Sequence, residues 1–220
     1  MSIVIQVFSD YTCPFCLLGQ VALNRVAAQT GAQVVWRAYQ LRKDGPPRLE
    51  PRGAAMNQGW QNTVLPMAAA LGVEMRQPSR LPLTRYAHEA AAWARAQDRF
   101  DEFHAAILRA NFIEDLDIGE IETLQQLAWR LGLDAADLAA ALLEQRHADE
   151  VDEDLLIAET YGVRGVPAFV IGGQVMSGVQ EEATLLRALE ATRKGEKVAA
   201  PMPAPLAPVN IQRLTDSRHS

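Results

Sequence analysis

Two cysteines carry the chemistry this sequence offers. They stand in Cys13-Pro14-Phe15-Cys16, and the chain of 220 residues has no other cysteine. Thiols at this spacing can close a disulfide, exchange it with an outside thiol, or ligate a soft metal. A zinc site needs further Cys or His ligands, and His88, His104, His147 and His219 are scattered without ligand spacing. No metal or other cofactor is therefore expected. A structural bridge is not needed, because a chain of this length buries a sizeable core without staples. Two inert thiols are the plain alternative to a redox-active pair.

The flanking sequence tells these apart. Ile3-Val4-Ile5-Gln6-Val7-Phe8 is β-branched and nearly continuously apolar, as suits a strand buried on both faces. Ser9-Asp10-Tyr11-Thr12 reads as a turn, with Thr12 or a neighbour as a helix cap. A helix is expected over about 14–29, with Leu17, Leu18, Val21, Leu23 and Val26 on its apolar surface and Gly31 as its stop. Pro14 costs little in a first turn. Strand, turn, Cys-x-x-Cys and helix together point to a dithiol whose reactive form is the thiolate.

Unpaired N–H groups and the positive dipole end at a helix start favour that charged form. Cys13, ahead of the helix, is expected to be exposed and to act as nucleophile. Cys16, in the first turn, is expected to resolve the mixed disulfide. Pro14 and Phe15 set the helix start and the polarity around the pair. Asp10 reads as a turn or cap residue, with proton relay as the alternative.

The remaining elements must position the pair. Val34-Val35-Trp36-Arg37-Ala38-Tyr39 reads as a second strand, parallel to the first. Asp44-Gly45-Pro46-Pro47 and Pro51 then break the pattern. Helices are expected over 54–71, 84–97, 100–111, 121–131, 135–144 and 149–161, with Pro66 dividing or kinking the first. Asp117 with Glu120, and Asp134 with Asp137, look like helix starts. Ala168-Phe169-Val170-Ile171 and Gln174-Val175-Met176-Ser177 form a hairpin about Gly172-Gly173, followed by a helix over about 181–193. The order β-α-β, helical insert, β-β-α describes a split α/β sheet. Residues 1–50 and 162–195 make one discontinuous domain, 51–161 the insert, and 196–220 a Pro-rich tail.

Three stretches carry a resemblance: 8–16 around the cysteines, Gly162-Val163-Arg164-Gly165-Val166-Pro167-Ala168-Phe169, and 171–180 with its Gly172-Gly173 and Ser177-Gly178-Val179-Gln180. Together they resemble the DsbA family of thioredoxin-fold thiol–disulfide oxidoreductases, and within it the cytosolic FrnE-like branch, over about residues 3–193. The resemblance implies a thioredoxin fold and a cis Val166–Pro167 bond beside the cysteines. It also implies thiol–disulfide exchange and extended substrate pairing at Val166. The partners expected are protein thiols or disulfides, with glutathione or a thioredoxin-type protein for recycling. Proline before a strand would otherwise be read as trans. Some FrnE-like proteins carry a second Cys pair, which this chain lacks. The related kappa-class glutathione transferases and 2-hydroxychromene-2-carboxylate isomerases usually lack the full Cys-x-x-Cys. A glutathione-linked transferase or isomerase is thus the second reading, and a non-enzymatic chaperone-like binder the third.

Other features weigh less. A net charge of −6 without a dense basic block argues against nucleic acid and anionic membranes as partners. No signal peptide or membrane span is read, which leaves a cytoplasmic protein as the expectation. The acidic run 114–120 lacks calcium-loop spacing. Trp60, Trp93 and Trp129, with Met56, Met67 and Met75, read as core first and as a substrate groove second. Arg164 reads as a loop charge.

Overall fold

β-branched sequence builds a four-stranded sheet. In the computed structural model, which describes residues 3–47 and 49–195, β1 (Val4–Ser9) and β2 (Gln33–Ala38) run parallel, with Ser9 opposite Ala38. β3 (Ala168–Ile171) pairs antiparallel with β1, placing Phe169 opposite Val7, and β4 (Gln174–Ser177) completes the hairpin. The order β2-β1-β3-β4 puts the strand that leads to the cysteines in the middle of the sheet. Gly172 and Gly173 turn the hairpin with φ of 57° and 82°, conformations that glycine adopts without steric cost. The Pro-rich tail expected over 196–220 lies outside the described residues.

α1 (Pro14–Thr30) connects β1 to β2 and ends at Gly31 in the left-handed conformation. α9 (Glu182–Lys194) follows β4. Both pack on one face of the sheet, where Ile5, Val7, Leu23, Phe169, Leu185 and Leu189 are buried together. Gly19 lets α1 sit low on that face. A Cβ there would stand 3.4 Å from both the Phe169 ring and Pro167.

The helices between β2 and β3 are α2 (Ala54–Gly59), α3 (Leu65–Leu71), α4 (Arg85–Arg95), α5 (Phe100–Phe112), α6 (Ile121–Arg130), α7 (Ala135–Leu143) and α8 (Ala148–Thr160). A π-helical turn, Trp60–Val64, joins α2 to α3. The helix expected over 54–71 is thus in three pieces. Pro66 cannot donate to the ladder and its ring crowds the preceding turn, which opens the helix just ahead of it. Asp134 caps α7, accepting the N–H groups of Ala136 and Asp137 at 2.9 and 3.0 Å. Asp117 instead accepts from Gly119 N–H at 3.0 Å in the turn before α6, whose N-cap is Glu120.

Phe103, Ile107, Phe112, Leu124 and Leu138 form the core of these helices, and Trp60 and Trp93 join it. Trp129 does not. It is 76% exposed on α6, because the apolar face of that helix is already filled by Leu124, Leu127 and Ala128. Tyr11 and Leu18 belong to the same cluster, so the segment that carries the cysteines packs on the helices as well as on the sheet. On the opposite side, α8 is tied to β2. Asp154 accepts from Arg37 Nη1 and from Ala38 N–H, both at 2.8 Å.

Candidate active site

The site begins where β1 ends. Asp10 is fully buried in the loop and accepts on both oxygens. Oδ1 takes Thr12 N–H at 3.0 Å and the Thr12 hydroxyl at 3.1 Å, and Oδ2 takes Leu41 N–H at 2.6 Å. Asp10 is thus a turn residue that also pins the chain leaving β2. Main-chain bonds continue the turn, from Cys13 N–H to Asp10 O and from Cys16 N–H to Cys13 O, both 3.1 Å. Cys13 is the N-cap of α1, with Pro14 directly after it, and no side chain caps this helix start. The thiols therefore have the positive end of α1 to themselves.

Cys13 and Cys16 are both free thiols, 5% and 2% exposed. The exposure expected for Cys13 is not found. Its thiol turns inward and donates to the Val166 carbonyl at 3.4 Å, so the sulfur is covered by its own partner. Cys16 lies deeper. Burial pushes its pKa well up, and the adjoining Cys13 thiol adds to the rise. The Ser9 hydroxyl and the Asp10 main chain pull against it.

Val166–Pro167 is a cis peptide bond, and Pro167 is buried directly before β3. The Pro167 carbonyl accepts from Gly178 N–H at 2.7 Å, and Gly19 of α1 lies against its ring. Cys13, Cys16, Val166 and Pro167 thus meet at one end of the sheet. Pro14 and Phe15 are half-buried beside them, with Phe15 against the helical core. Arg164 is exposed. In the acidic run, Glu114 pairs with Arg109 and Arg130, and Asp115 pairs with Arg52. Among the described residues no cluster of His, Cys, Asp or Glu has the arrangement to hold a metal ion.

Behind the loop lies a polar group that sequence reasoning missed. The Gln20 amide donates to His104 Nε2 at 2.8 Å, so the His104 Nδ1–H donates to the Tyr11 hydroxyl at 2.9 Å. Asn111 Nδ2 donates to the Tyr11 carbonyl at 3.0 Å. His88 Nε2–H donates to the Tyr39 carbonyl at 3.0 Å. Burial lowers both histidines, His104 to about 3 with help from His88 and Arg95. Burial raises Tyr11 far above the usual phenol range. All three side chains are therefore neutral at neutral pH. The one available signal was two histidines at apolar positions of an Ala/Leu-rich segment.

The chain is 33% identical over 198 residues to YwbO, an uncharacterised protein of Bacillus subtilis (strain 168), covering 88% of this chain and 99% of YwbO. It superimposes on the structure of a probable DsbA oxidoreductase, SCO1869, from Streptomyces coelicolor with a TM-score of 0.78. That pair is 27% identical and covers 92% of this chain and 94% of the other. The cytosolic disulfide reductase DsbM from Pseudomonas aeruginosa, solved also with GSH, shares the fold at 20% identity and a TM-score of 0.62, covering 87% of this chain and 96% of DsbM. The model of the DSBA-like thioredoxin domain matches residues 4–190. The four-stranded sheet, its helices and that match place the chain in the family of DSBA-like thioredoxin domains, with the fold of a thiol–disulfide oxidoreductase.

Proposed function

We propose that this protein exchanges disulfides through Cys13 and Cys16, with protein or small-molecule thiols as substrates. One observation carries the reading: the Cys13 thiol stands at an uncapped helix start, 3.4 Å from the Val166 carbonyl, with the Cys16 thiol beside it. When Cys13 leaves Val166, the sulfur can attack and the carbonyl can accept a main-chain N–H from an extended substrate. The Cys13 thiolate attacks a substrate disulfide and expels one substrate thiolate. Cys16 then attacks Cys13 and expels the second. Run backwards, the same steps oxidise a substrate dithiol.

Glutathione or a thioredoxin-type protein serves as recycling partner, a reading supported by the shared fold of DsbM, whose structure was solved with GSH. Retention of both cysteines supports disulfide exchange over the chemistry of the isomerase-type relatives, and the motifs around Cys13 and Pro167 support a cytoplasmic member of the FrnE-like branch. Residues 1–50 with 162–195 serve as the catalytic unit, and 51–161 as the insert that shields it.

Cys13→Ser is expected to abolish reduction of insulin disulfides, while Cys16→Ser accumulates mixed disulfides with substrate. Full activity in Cys13→Ser sinks the proposal. Turnover that persists in Cys16→Ser, with glutathione bound, points to the transferase or isomerase chemistry instead. Redox titration against glutathione assigns direction, since a midpoint far above the glutathione poise marks an oxidant.

A further inference from the structure

His104 is 6% exposed and lies among aromatic rings. Phe100 stacks on it with centroids 5.2 Å apart, and Trp36 is tilted against it at 4.5 Å. An imidazole is costly in such surroundings unless both of its nitrogens are bonded, a demand that an apolar side chain would not make. Both are bonded, Nδ1 to the Tyr11 hydroxyl at 2.9 Å and Nε2 to the Gln20 amide at 2.8 Å.

The positions of these two partners are informative. Tyr11 stands two residues before Cys13, and Gln20 stands four residues after Cys16. One ring thus spans the segment that holds both thiols, tied to the loop on one side of them and to α1 on the other. Asn111 adds a third tie. It lies about two turns along α5 from His104 and takes the Tyr11 carbonyl at 3.0 Å. α5 therefore holds Tyr11 by main chain and by hydroxyl, and holds α1 by Gln20. The start of α1 has no side-chain cap to fix its angle to the loop. The bonds from α5 are placed to do so instead.

We propose that His104, through Tyr11 and Gln20, is a positioning residue that sets how readily Cys13 and Cys16 join, and so tunes their redox potential from the helical insert. This rests on the exchange reading above. His104 bonds to neither thiol. To close the disulfide, Cys13 Sγ leaves the Val166 carbonyl and bonds to Cys16 Sγ. The two electrons and two protons of the dithiol pass to the substrate disulfide, which leaves as two thiols. The equilibrium for joining two thiols of one chain follows their effective concentration. While one ring holds both Tyr11 and Gln20, the loop and the helix stay in register and that concentration is high. Freed from His104, the pair samples arrangements that cannot close, and the disulfide form loses more than the dithiol form.

Four variants test this. His104→Leu removes both bonds, and His104→Gln keeps one donor and one acceptor. Tyr11→Phe and Gln20→Leu each cut one arm. Equilibration with reduced and oxidised glutathione reads the potential. His104→Leu is expected to weaken the Cys13–Cys16 disulfide about tenfold, a rise of about 30 mV. Tyr11→Phe and Gln20→Leu should each give a smaller rise, and His104→Gln should stay near the unaltered protein. After rapid mixing of reduced protein with oxidised glutathione, the attack of Cys16 on the mixed disulfide should slow in the same order. Alkylation of Cys13 by iodoacetamide should keep its rate.

Urea unfolding of the oxidised and the reduced protein separates positioning from plain support. A purely structural role lowers both forms equally and leaves potential and resolving rate unmoved, and that result overturns the proposal. If His104→Leu does not fold, Tyr11→Phe and Gln20→Leu decide, and an unmoved potential in both overturns it. Normal exchange with unmoved potentials leaves the exchange reading standing. If the unaltered protein exchanges with neither glutathione nor insulin, the exchange reading falls and the proposal falls with it.

Discussion

The sheet and the helices that interrupt it bury different things. On the α1–α9 face of the sheet the core is apolar throughout, from Ile5 and Val7 to Phe169 and Leu189. The helices bury Thr84, His88, Glu89, His104, Asn111 and Asp154 as well. Four of those six reach across to the end of the sheet where the cysteines sit. Asn111 holds the Tyr11 carbonyl, His104 the Tyr11 hydroxyl, His88 the Tyr39 carbonyl and Asp154 the end of β2. Apolar contact is non-directional and stabilises without fixing orientation. Buried hydrogen bonds are directional and expensive to leave unmade. The sheet face supplies cohesion, and the helices supply the geometry of the loop before Cys13.

The largest effects should fall equally on both regions. Phe103→Ala in the helices and Phe169→Ala in the sheet each remove a fully buried ring and are expected to cost about 3–5 kcal/mol. Because Tyr11 and Leu18 pack within the helical core, both variants should shift one cooperative urea transition. Two separate transitions, each moved by one variant, would break the comparison into independent units.

Asp154→Ala comes next. It leaves Ala38 N–H and Arg37 Nη1 without their acceptor, while Arg37 Nε keeps Gln6, and since Arg37 is 27% exposed the loss should be about 2–3 kcal/mol. Urea midpoints of Asp154→Ala and Asp154→Asn measure it, with Asn the milder.

pH sharpens the contrast further. His104 has its folded-state pKa depressed to about 3 by burial, below the ordinary value of about 6.5. The unfolded chain therefore binds the extra proton first. The stability linked to His104 is complete above pH about 6.5 and is lost as pH falls from there toward 3. Denaturation midpoints at a series of pH values should drop over that window, and His104→Gln should flatten the drop. The smallest effect belongs to Trp129→Lys, expected within about 0.5 kcal/mol of the unaltered protein because the ring is 76% exposed.

What was legible in the sequence was local. Strand, turn, cysteines and helix are consecutive, so β1, α1 and the Gly31 stop follow from patterning and turn chemistry alone. The parallel β1–β2 pair follows from handed connection rules, and the Asp134 cap from its spacing. What escaped was set by contacts between distant residues. The inward turn of the Cys13 thiol depends on Val166, 153 positions away. The polar ties of His88, His104 and Asn111 leave no periodic mark, because each is one residue on an otherwise apolar face. Trp129 was misread because helical spacing does not say which turn of α6 meets a neighbour.

That separation of Cys13 from Val166 has a consequence for biosynthesis. At about 5–20 residues per second, a ribosome needs on the order of ten seconds to make the chain between them. During that time β1, α1 and β2 can assemble while the carbonyl that covers the Cys13 sulfur does not yet exist. The thiols are thus open to small oxidants and to one another on the nascent chain, and the last strands delivered are the ones that close over them.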